Sequence, residues 1–278
     1  MRIEAGFKLA FECPAPTPMV LALSPHPSRL PDLLTEATLD FNRRIPARSF
    51  LDGFGNINTR IVAPAGVTTI STRFVMRDSG RHDPVVPGAV QHAVEDLPDE
   101  VLPFLLGSRY CETDRLSDFA WRNFASVEPG WARVQAVCDF VHDHIRFDYQ
   151  AADATRTALG ALEGGVGVCR DYTHLAVALC RCLNIPARYC TGYLGDIGIP
   201  PVPYPMDFSA WFEVWLAGRW YTFDARHNTP RIGRILMATG RDATDVALTT
   251  SFGSAWLATF EVFTDEAFDQ PMALTSAA

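Results

Sequence analysis

The fold is indicated most directly by residues 164–176, GGVGVCRDYTHLA. Glycines precede a cysteine, and apolar residues recur after it at three- and four-residue spacing as far as Leu183, which predicts an amphipathic helix. Asn184 and Pro186 are residue types that end a helix. Cys169 is therefore predicted to lie at a helix N-terminus, directly after a glycine-rich turn.

A cysteine at this position is a candidate nucleophile. The unpaired N–H groups and the positive dipole at a helix N-terminus favour thiolate over thiol, so we expect the pKa of Cys169 to lie well below that of a free cysteine. Asp171 complements the same dipole, and its negative charge partly offsets the lowering of the thiol pKa. The alternative interpretation makes Cys169 one more small apolar residue of the core.

Length and charge narrow the class of protein. The chain has 278 residues, 48 % of them hydrophobic and 20 % charged, which predicts a soluble protein of one large or two medium domains. Its net charge of −8, without a basic stripe, argues against a nucleic-acid partner. Charges near the N-terminus interrupt any secretion signal, and no window reaches the roughly 18 apolar residues of a membrane span. We expect a cytoplasmic protein without a membrane partner.

The cysteines and glycines give no sign of a bound group. Seven cysteines are scattered through the chain, an odd number, and no pair has the CxxC spacing of a zinc or redox site. Residues 164–167 lack the lysine and the spacing of a phosphate-binding P-loop. Free thiols are therefore predicted, with neither a metal nor a cofactor.

The sequence divides into four segments. Residues 1–80 contain short apolar and β-branched runs separated by Pro- and Gly-rich turns, which predicts an N-terminal all-β domain. Residues 81–130 favour short helices in a connector. Residues 131–265 combine helices with later strands and contain Cys169. Residues 266–278 are predicted to form a loose C-terminal tail.

Two strands joined by the turn Ala217-Gly218 are predicted to form a β-hairpin. In the register of a two-residue turn, Trp211 faces Asp224 and Ser209 faces the residue two positions later, Arg226. Since side chains alternate along a strand, these four share one face of the hairpin. Ser209 and Asp224 are then diagonal neighbours.

Two segments carry a resemblance to a known family. GVCRDYTHLAVALCRCLNIPARYCTGYL, residues 167–194, and SAWFEVWLAGRWYTFDARHN, residues 209–228, resemble the transglutaminase-like superfamily of papain-type cysteine enzymes, specifically bacterial members with an N-terminal β-domain. The resemblance runs from about residue 131 to about residue 263. It implies an α+β fold, with a papain-like transglutaminase core, in which the nucleophile helix packs on an antiparallel sheet, preceded by an all-β domain. The implied chemistry is attack on a carbonyl carbon to give a thioester, which water or an amine resolves.

The resemblance also assigns site residues. Cys169 matches the family nucleophile, and Asp224 matches the aspartate that orients the catalytic histidine. The histidine is missing, because the family's His-Ala-Trp motif is replaced here by Ser209-Ala210-Trp211. A serine hydroxyl does not take up a proton near neutral pH, whereas an imidazole does, so Ser209 cannot act as the base.

Two other histidines are candidates for the missing base. His174 lies five residues after Cys169, about 140° around the helix, and is expected to point away from it. His227 lies three residues after Asp224, at the end of a strand. Asp224 has an alternative role as a structural partner of Arg226 or of a backbone amide.

Two functions follow from these residues. The first is a transglutaminase-like cysteine protease, amidase or acyltransferase, which acts on a peptide, a protein or a small amide through Cys169 with the support of Asp224. The second is a binding or scaffold protein that keeps the fold and has lost the chemistry, and Ser209 favours it. The oligomeric state and the identity of the substrate stay open.

Overall fold

The structure, a computed structural model, describes residues 1–202 and 205–267. The N-terminal part is β-rich, as the sequence predicts. Its strands carry alternating buried residues, such as Ile3, Ile70 and Phe74, which form one side of a core between two sheets. The strands are β1 (Arg2–Cys13), β2 (Thr17–Leu21), β3 (Asp40–Phe41), β4 (Arg48–Leu51), β5 (Ile57–Ala63) and β6 (Gly66–Arg77).

The core that follows is helical at first and ends in strands. The glycine-rich segment joins a short helix to the helix that begins at Cys169. The helices are α1 (Thr113–Phe124), α2 (Trp131–His144), α3 (Ala158–Gly164) and α4 (Cys169–Cys182), and the strands are β7 (Arg146–Phe147), β8 (Val166–Gly167), β9 (Ala187–Tyr193), β10 (Ser209–Leu216), β11 (Arg219–Phe223) and β12 (Ile235–Gly240).

Helix α4 packs on an antiparallel sheet of strand order β11-β10-β9-β12. Phe212, Val214 and Leu216 of β10 lie in the same apolar cluster as Leu175 and Leu179 of α4. The face of β10 that carries Ala210 and Phe212 therefore lies toward α4, and the face that carries Ser209 and Trp211 lies away from it. The predicted α+β fold, with a helix on an antiparallel sheet, is confirmed.

The β10–β11 hairpin has the predicted register. Ala217 and Gly218 have φ angles of 46° and 79°, both in the left-handed region required by a type I′ turn. Phe212 pairs with Phe223. When this register is extended by one residue, Trp211 lies opposite Asp224. The turn thus fixes which residues of the two strands meet.

The C-terminal strands complete the N-terminal sheets. β13 (Thr249–Ser251) pairs with β2, and β14 (Trp256–Glu266) pairs with β1 along almost its whole length. The resulting sheets have the orders β14-β1-β6-β3 and β13-β2-β5-β4. From sequence, residues 131–265 are predicted to form one core segment, because alternation along a strand identifies a strand and not its partner. The chain therefore builds its β-rich unit from both ends.

The remaining segments add little to the site. Residues 81–130 contain 3₁₀ turns and helix α1, in keeping with a helical connector. Of the predicted tail, residues 266–278, only the first two lie within the described part. Within that part, no helix combines the length and apolar character that crossing a bilayer requires.

Candidate active site

Cys169 is the first residue of α4, as the sequence predicts. Its side chain is half-buried, whereas the other six cysteines are fully buried. The thiol contacts the small cluster formed by Tyr189, Ala210 and Val246, and its sulfur accepts a hydrogen bond from the main-chain N–H of Ala210. Cys169 is therefore the cysteine that a substrate can approach.

The glycine-rich turn serves the helix start. Gly165 has a φ angle of 60° and ends α3 in the left-handed conformation that glycine adopts most easily. A Cβ atom on Gly167 would lie only 2.5 Å from Asp171 Oδ2. The absence of this atom lets the Asp171 carboxylate accept a hydrogen bond from the Val168 N–H at 2.8 Å and pair with Arg156 at 3.2 Å. Asp171 thus caps α4 directly beside Cys169.

The expected low pKa of Cys169 is wrong for this structure. Burial raises the pKa of the thiol to about 11, and the positive charge of Arg226 and the N–H of Ala210 oppose this only in part. The negative charges of Asp207 and Asp224 add to the increase. The resting group is therefore a thiol, and a base must remove its proton before it can attack a carbonyl.

Asp224 and His227 form a hydrogen-bonded pair. His227 Nδ1 lies 2.8 Å from Asp224 Oδ2, and the main-chain N–H groups of Arg226 and His227 both donate to Asp224 Oδ1. With Nδ1 directed at the carboxylate, Nε2 of a neutral His227 carries the free lone pair. The structure thus gives Asp224 the histidine partner that the position of Ser209 lacks.

Arg234 fixes the charge of Asp224. Its guanidinium donates to Asp224 at 2.9 Å and to Asp83 at 2.8 Å, and it lies over the ring of Trp211 at 5.1 Å from the centroid. Burial works to raise the pKa of Asp224, but Arg234 and the hydrogen bond from His227 outweigh it and hold this pKa well below its usual range. The predicted pairing of Asp224 with a backbone amide is also present, whereas its side-chain ion partner is Arg234 rather than Arg226.

Neither Asp83 nor Arg234 was among the candidate residues from sequence. Asp83 lies in the connector and Arg234 ten residues after Asp224, just before β12, so no periodic pattern links them. Arginine and aspartate are common surface residues, and only the fold shows that Arg234 is buried beside a half-buried Asp83. No local signal in the sequence identifies it.

Ser209 begins β10 and is buried. It lines a cavity of about 120 Å³ together with Asp207, Arg226 and His227. Its neighbour Ala210 contacts Cys169 on the other face of the strand. The Ser209 side chain therefore faces the cavity that His227 also lines, on the face of β10 opposite to Cys169.

His174 points away from Cys169, as helix geometry predicts, and has a structural role. Its Nε2 accepts a hydrogen bond from the Ala243 N–H at 3.1 Å, and its ring stacks on Tyr110 at 4.9 Å. Burial lowers the pKa of His174 to about 3, so the ring is neutral at physiological pH. These contacts tie the ring to the core.

Cys169 opens onto a groove of about 870 Å³. One wall is the loop at residues 152–154, and the other is the segment from residue 243 to residue 250. Asp207 lines both this groove and the smaller cavity beside Ser209, so the two spaces adjoin at the start of β10. A group in the smaller cavity approaches Cys169 around this end of the sheet rather than through it.

Comparison with known proteins identifies the core. Residues 120–225 match the transglutaminase-like superfamily. An uncharacterised protein of Mycobacterium leprae (strain TN) is 34 % identical over 94 residues, which is 33 % of this chain and 33 % of that protein. The matched region thus spans about a third of that relative.

One solved structure extends the similarity beyond the core. The crystal structure of a "putative cysteine protease" from Cytophaga hutchinsonii superposes with a TM-score of 0.81 and 28 % identity, over 96 % of this chain and 92 % of that one. The periplasmic domain of TgpA from Pseudomonas aeruginosa aligns with 81 % of this chain and 90 % of its own, at a TM-score of 0.39 and 14 % identity. The first of these matches covers the β-rich unit as well as the core.

Proposed function

The chain carries a transglutaminase-like core, and from this premise we propose that it is a cysteine enzyme in which Cys169 attacks an amide or ester carbonyl. One observation carries the proposal: the half-exposed thiol stands at the start of α4, at the base of a groove, while the other six cysteines are buried. Hydrolysis and acyl transfer share this first step.

We assign the role of general base to His227, oriented by Asp224. The hydrogen bond between Nδ1 and the carboxylate holds the ring and stabilises the imidazolium, as the aspartate does in a catalytic triad. Ser209 and His227 line a small cavity that adjoins the groove of Cys169 at the start of β10, and we propose that water at this junction carries the thiol proton to His227 Nε2. A base is required because the thiol pKa of about 11 leaves little thiolate at neutral pH.

The start of α4 supplies the oxyanion site. In the described part of the chain, no group accepts a hydrogen bond from the main-chain N–H of Cys169 or of Arg170. These donors and the helix dipole stabilise a negative oxygen that develops beside the sulfur. The electrostatic help that a helix N-terminus offers is thus directed at the transition state, while the resting thiol stays protonated.

The reaction then proceeds in two stages. His227 takes the thiol proton as the sulfur bonds to the carbonyl carbon, and the carbonyl electron pair moves to the oxygen. When the oxyanion collapses, the bond to the amine or alcohol breaks, the leaving group takes the proton from His227, and a Cys169 thioester forms. Water or an amine then attacks the thioester carbon and gives a proton to His227. The C–S bond breaks, the acid or amide product leaves, and the Cys169 sulfur takes the proton back from His227.

Covalent trapping tests the nucleophile. The protein is incubated with p-nitrophenyl acetate, and the acetylated residue is located by mass spectrometry after proteolysis. We expect one acetyl group on Cys169, and none at that peptide in Cys169→Ala. The matched control is Cys190→Ala, which removes a buried cysteine of β9. This variant should be acetylated on Cys169 as the parent is. A parent protein without an acetyl group on Cys169 would refute the proposal.

The second candidate function is a binding protein that has lost the chemistry. Ser209 in the histidine position and the raised pKa of the thiol favour it. It predicts that Ser209→His raises acetylation of Cys169 from near zero by orders of magnitude, because an imidazole then stands where the family has one. If the enzyme proposal is correct, the parent already reacts and the substitution adds far less.

A further inference from the structure

Strand β13 leaves one edge of its sheet unpaired. It is the end strand of the order β13-β2-β5-β4 and pairs on one side only, with β2. The Ala22 N–H donates to Leu248 O, and the Phe252 N–H donates to Pro18 O. These two bonds fix which residues of the antiparallel pair exchange hydrogen bonds.

The alternation determines which groups face outward. Residue 250 lies midway between two bonded positions and exchanges its hydrogen bonds with β2, whereas Thr249 and Ser251 lie between the bonded pairs. The main-chain N–H and C=O of Thr249 and of Ser251 therefore point away from the sheet. In the ranges 1–202 and 205–267, no backbone or side-chain group bonds to them.

This edge borders the groove that contains Cys169. Thr249 and Thr250 line the groove, together with residues 243–244 and 246–248, which lead into β13. Most of the lining residues are small or apolar, and the charged ones are Asp153, Arg170 and Asp207. An occupant is therefore met by backbone groups and small side chains rather than by a dense set of charges.

The neighbouring sheet edge near the groove is closed. The side chain of Asn56 both donates to Thr239 O and accepts from the Thr239 N–H, each at 2.8 Å, which occupies the outer edge of β12. The His26 N–H donates to Leu236 O on the same edge. Of these two edge strands, β13 is thus the one whose main chain keeps both unpaired N–H and unpaired C=O groups within the described part of the chain.

We propose that an extended polypeptide binds along β13 as an added strand, which brings its backbone past Cys169. An extended chain presents N–H and C=O groups at every second residue on one side, which matches Thr249 and Ser251. Recognition through the backbone tolerates varied side chains. The identification of this polypeptide as the substrate rests on the proposed function, whereas its binding requires no reaction at Cys169.

A proline variant tests the edge by removing one outward N–H without removing a bond to β2. Ser251→Pro is made in the Cys169→Ala background, and the affinity for fluorescein-labelled β-casein, an unfolded polypeptide, is measured by fluorescence anisotropy. The matched control is Ser49→Pro, because Ser49 also has an outward N–H, on the opposite edge strand of the same sheet.

We expect Ser251→Pro to weaken casein binding by about tenfold, from one lost hydrogen bond and the bulk of the ring, and Ser49→Pro to change it less than about twofold. Thr249→Pro removes the other outward N–H and should reproduce the loss if Ser251→Pro fails to fold. Equal affinities of the Ser251 and Ser49 variants, or no casein binding by the Cys169→Ala parent, would overturn the proposal. Since this background lacks the thiol, casein binding without acetylation in the cysteine-containing protein would refute the enzyme proposal alone.

Discussion

At the residue scale, the site is set by how each charged group is paired. The sequence motif correctly places Cys169 at a helix start, but helix geometry alone predicts a low thiol pKa, and burial reverses that prediction. The pKa of Asp224 shifts in the opposite direction, because Arg234 and His227 lower it despite burial and keep the carboxylate ionised. Both outcomes depend on neighbours from distant parts of the chain, which a local pattern cannot show.

The pKa of Cys169 predicts its reactivity. The rate of alkylation by iodoacetamide should rise with pH and reach its midpoint near pH 11, because burial raises the pKa of this thiol to about 11. The other cysteines are buried and should react only after unfolding. Mass spectrometry of the Cys169 peptide measures the rate, and a midpoint below about 8.5, the free-cysteine value, would contradict the prediction.

Loss of the Asp224 charge should destabilise the fold. Asp224→Asn leaves Arg234 buried with one carboxylate instead of two, which we expect to lower the free energy of unfolding by about 3 kcal/mol, at the lower end for a broken buried pair because Asp83 remains. Urea unfolding measures it. The control Asp32→Asn breaks a partly exposed pair with Arg29 and should cost less than about 1 kcal/mol. Equal losses would count against the buried network.

The same carboxylate gives a pH dependence. The pKa of Asp224 is lower in the folded protein than in the unfolded chain, so its contribution to stability is complete above about pH 5 and is lost as the pH falls below the unfolded value near 4. The difference in free energy of unfolding between the parent and Asp224→Asn should therefore shrink below about pH 4. Urea unfolding between pH 3 and pH 7 measures this, and a constant difference would be inconsistent with it.

At the element scale, the start of α4 depends on a close approach that only glycine allows. Gly167 lies against the Asp171 carboxylate that caps the helix, whereas nothing lies within 4 Å of a Cβ placed on Gly164. The spacing of apolar residues predicts α4, and the turn residues predict the β10–β11 hairpin, because both signals are local. The reason for the individual glycines becomes visible only when Asp171 is in place.

These two glycines form a matched pair of substitutions. Gly167→Ala should displace the Asp171 cap and lower the free energy of unfolding by about 1–2 kcal/mol. Gly164→Ala adds a methyl group at the end of α3 in open space and should be neutral or slightly stabilising. Thermal unfolding compares them, and a similar loss in both would show that the close contact with Asp171 is unimportant.

At the scale of the whole molecule, the two ends of the chain share the β-rich unit. The sequence predicts an all-β segment at residues 1–80, but the pairing of β14 with β1 joins residues from opposite ends of the chain, such as Ile3 and Glu266. A long-range partner leaves no mark in a local pattern. The division at residues 80 and 130 stays a prediction, and the sheets show that residues 1–80 do not complete their own strand pairing.

Truncation tests this shared unit. A chain that ends after residue 255 lacks β14 and exposes the edge of β1, so it should lose cooperative thermal unfolding or fail to accumulate as soluble protein. A chain that ends after residue 267 keeps every described strand and should unfold as the full chain does. Circular dichroism during heating compares the two. Normal cooperative unfolding of the shorter chain would contradict the shared unit.

The acylation rate of a histidine variant tests the proposal that His227, held by Asp224, is the general base for Cys169. The measurement is the release of p-nitrophenol from p-nitrophenyl acetate at pH 7 by the parent, His227→Gln and the control His82→Gln, which changes an exposed histidine. We expect His227→Gln to lower the Cys169-dependent rate by about 10²- to 10⁴-fold and His82→Gln to leave it unchanged. A His227→Gln protein that reacts at the parental rate would contradict it.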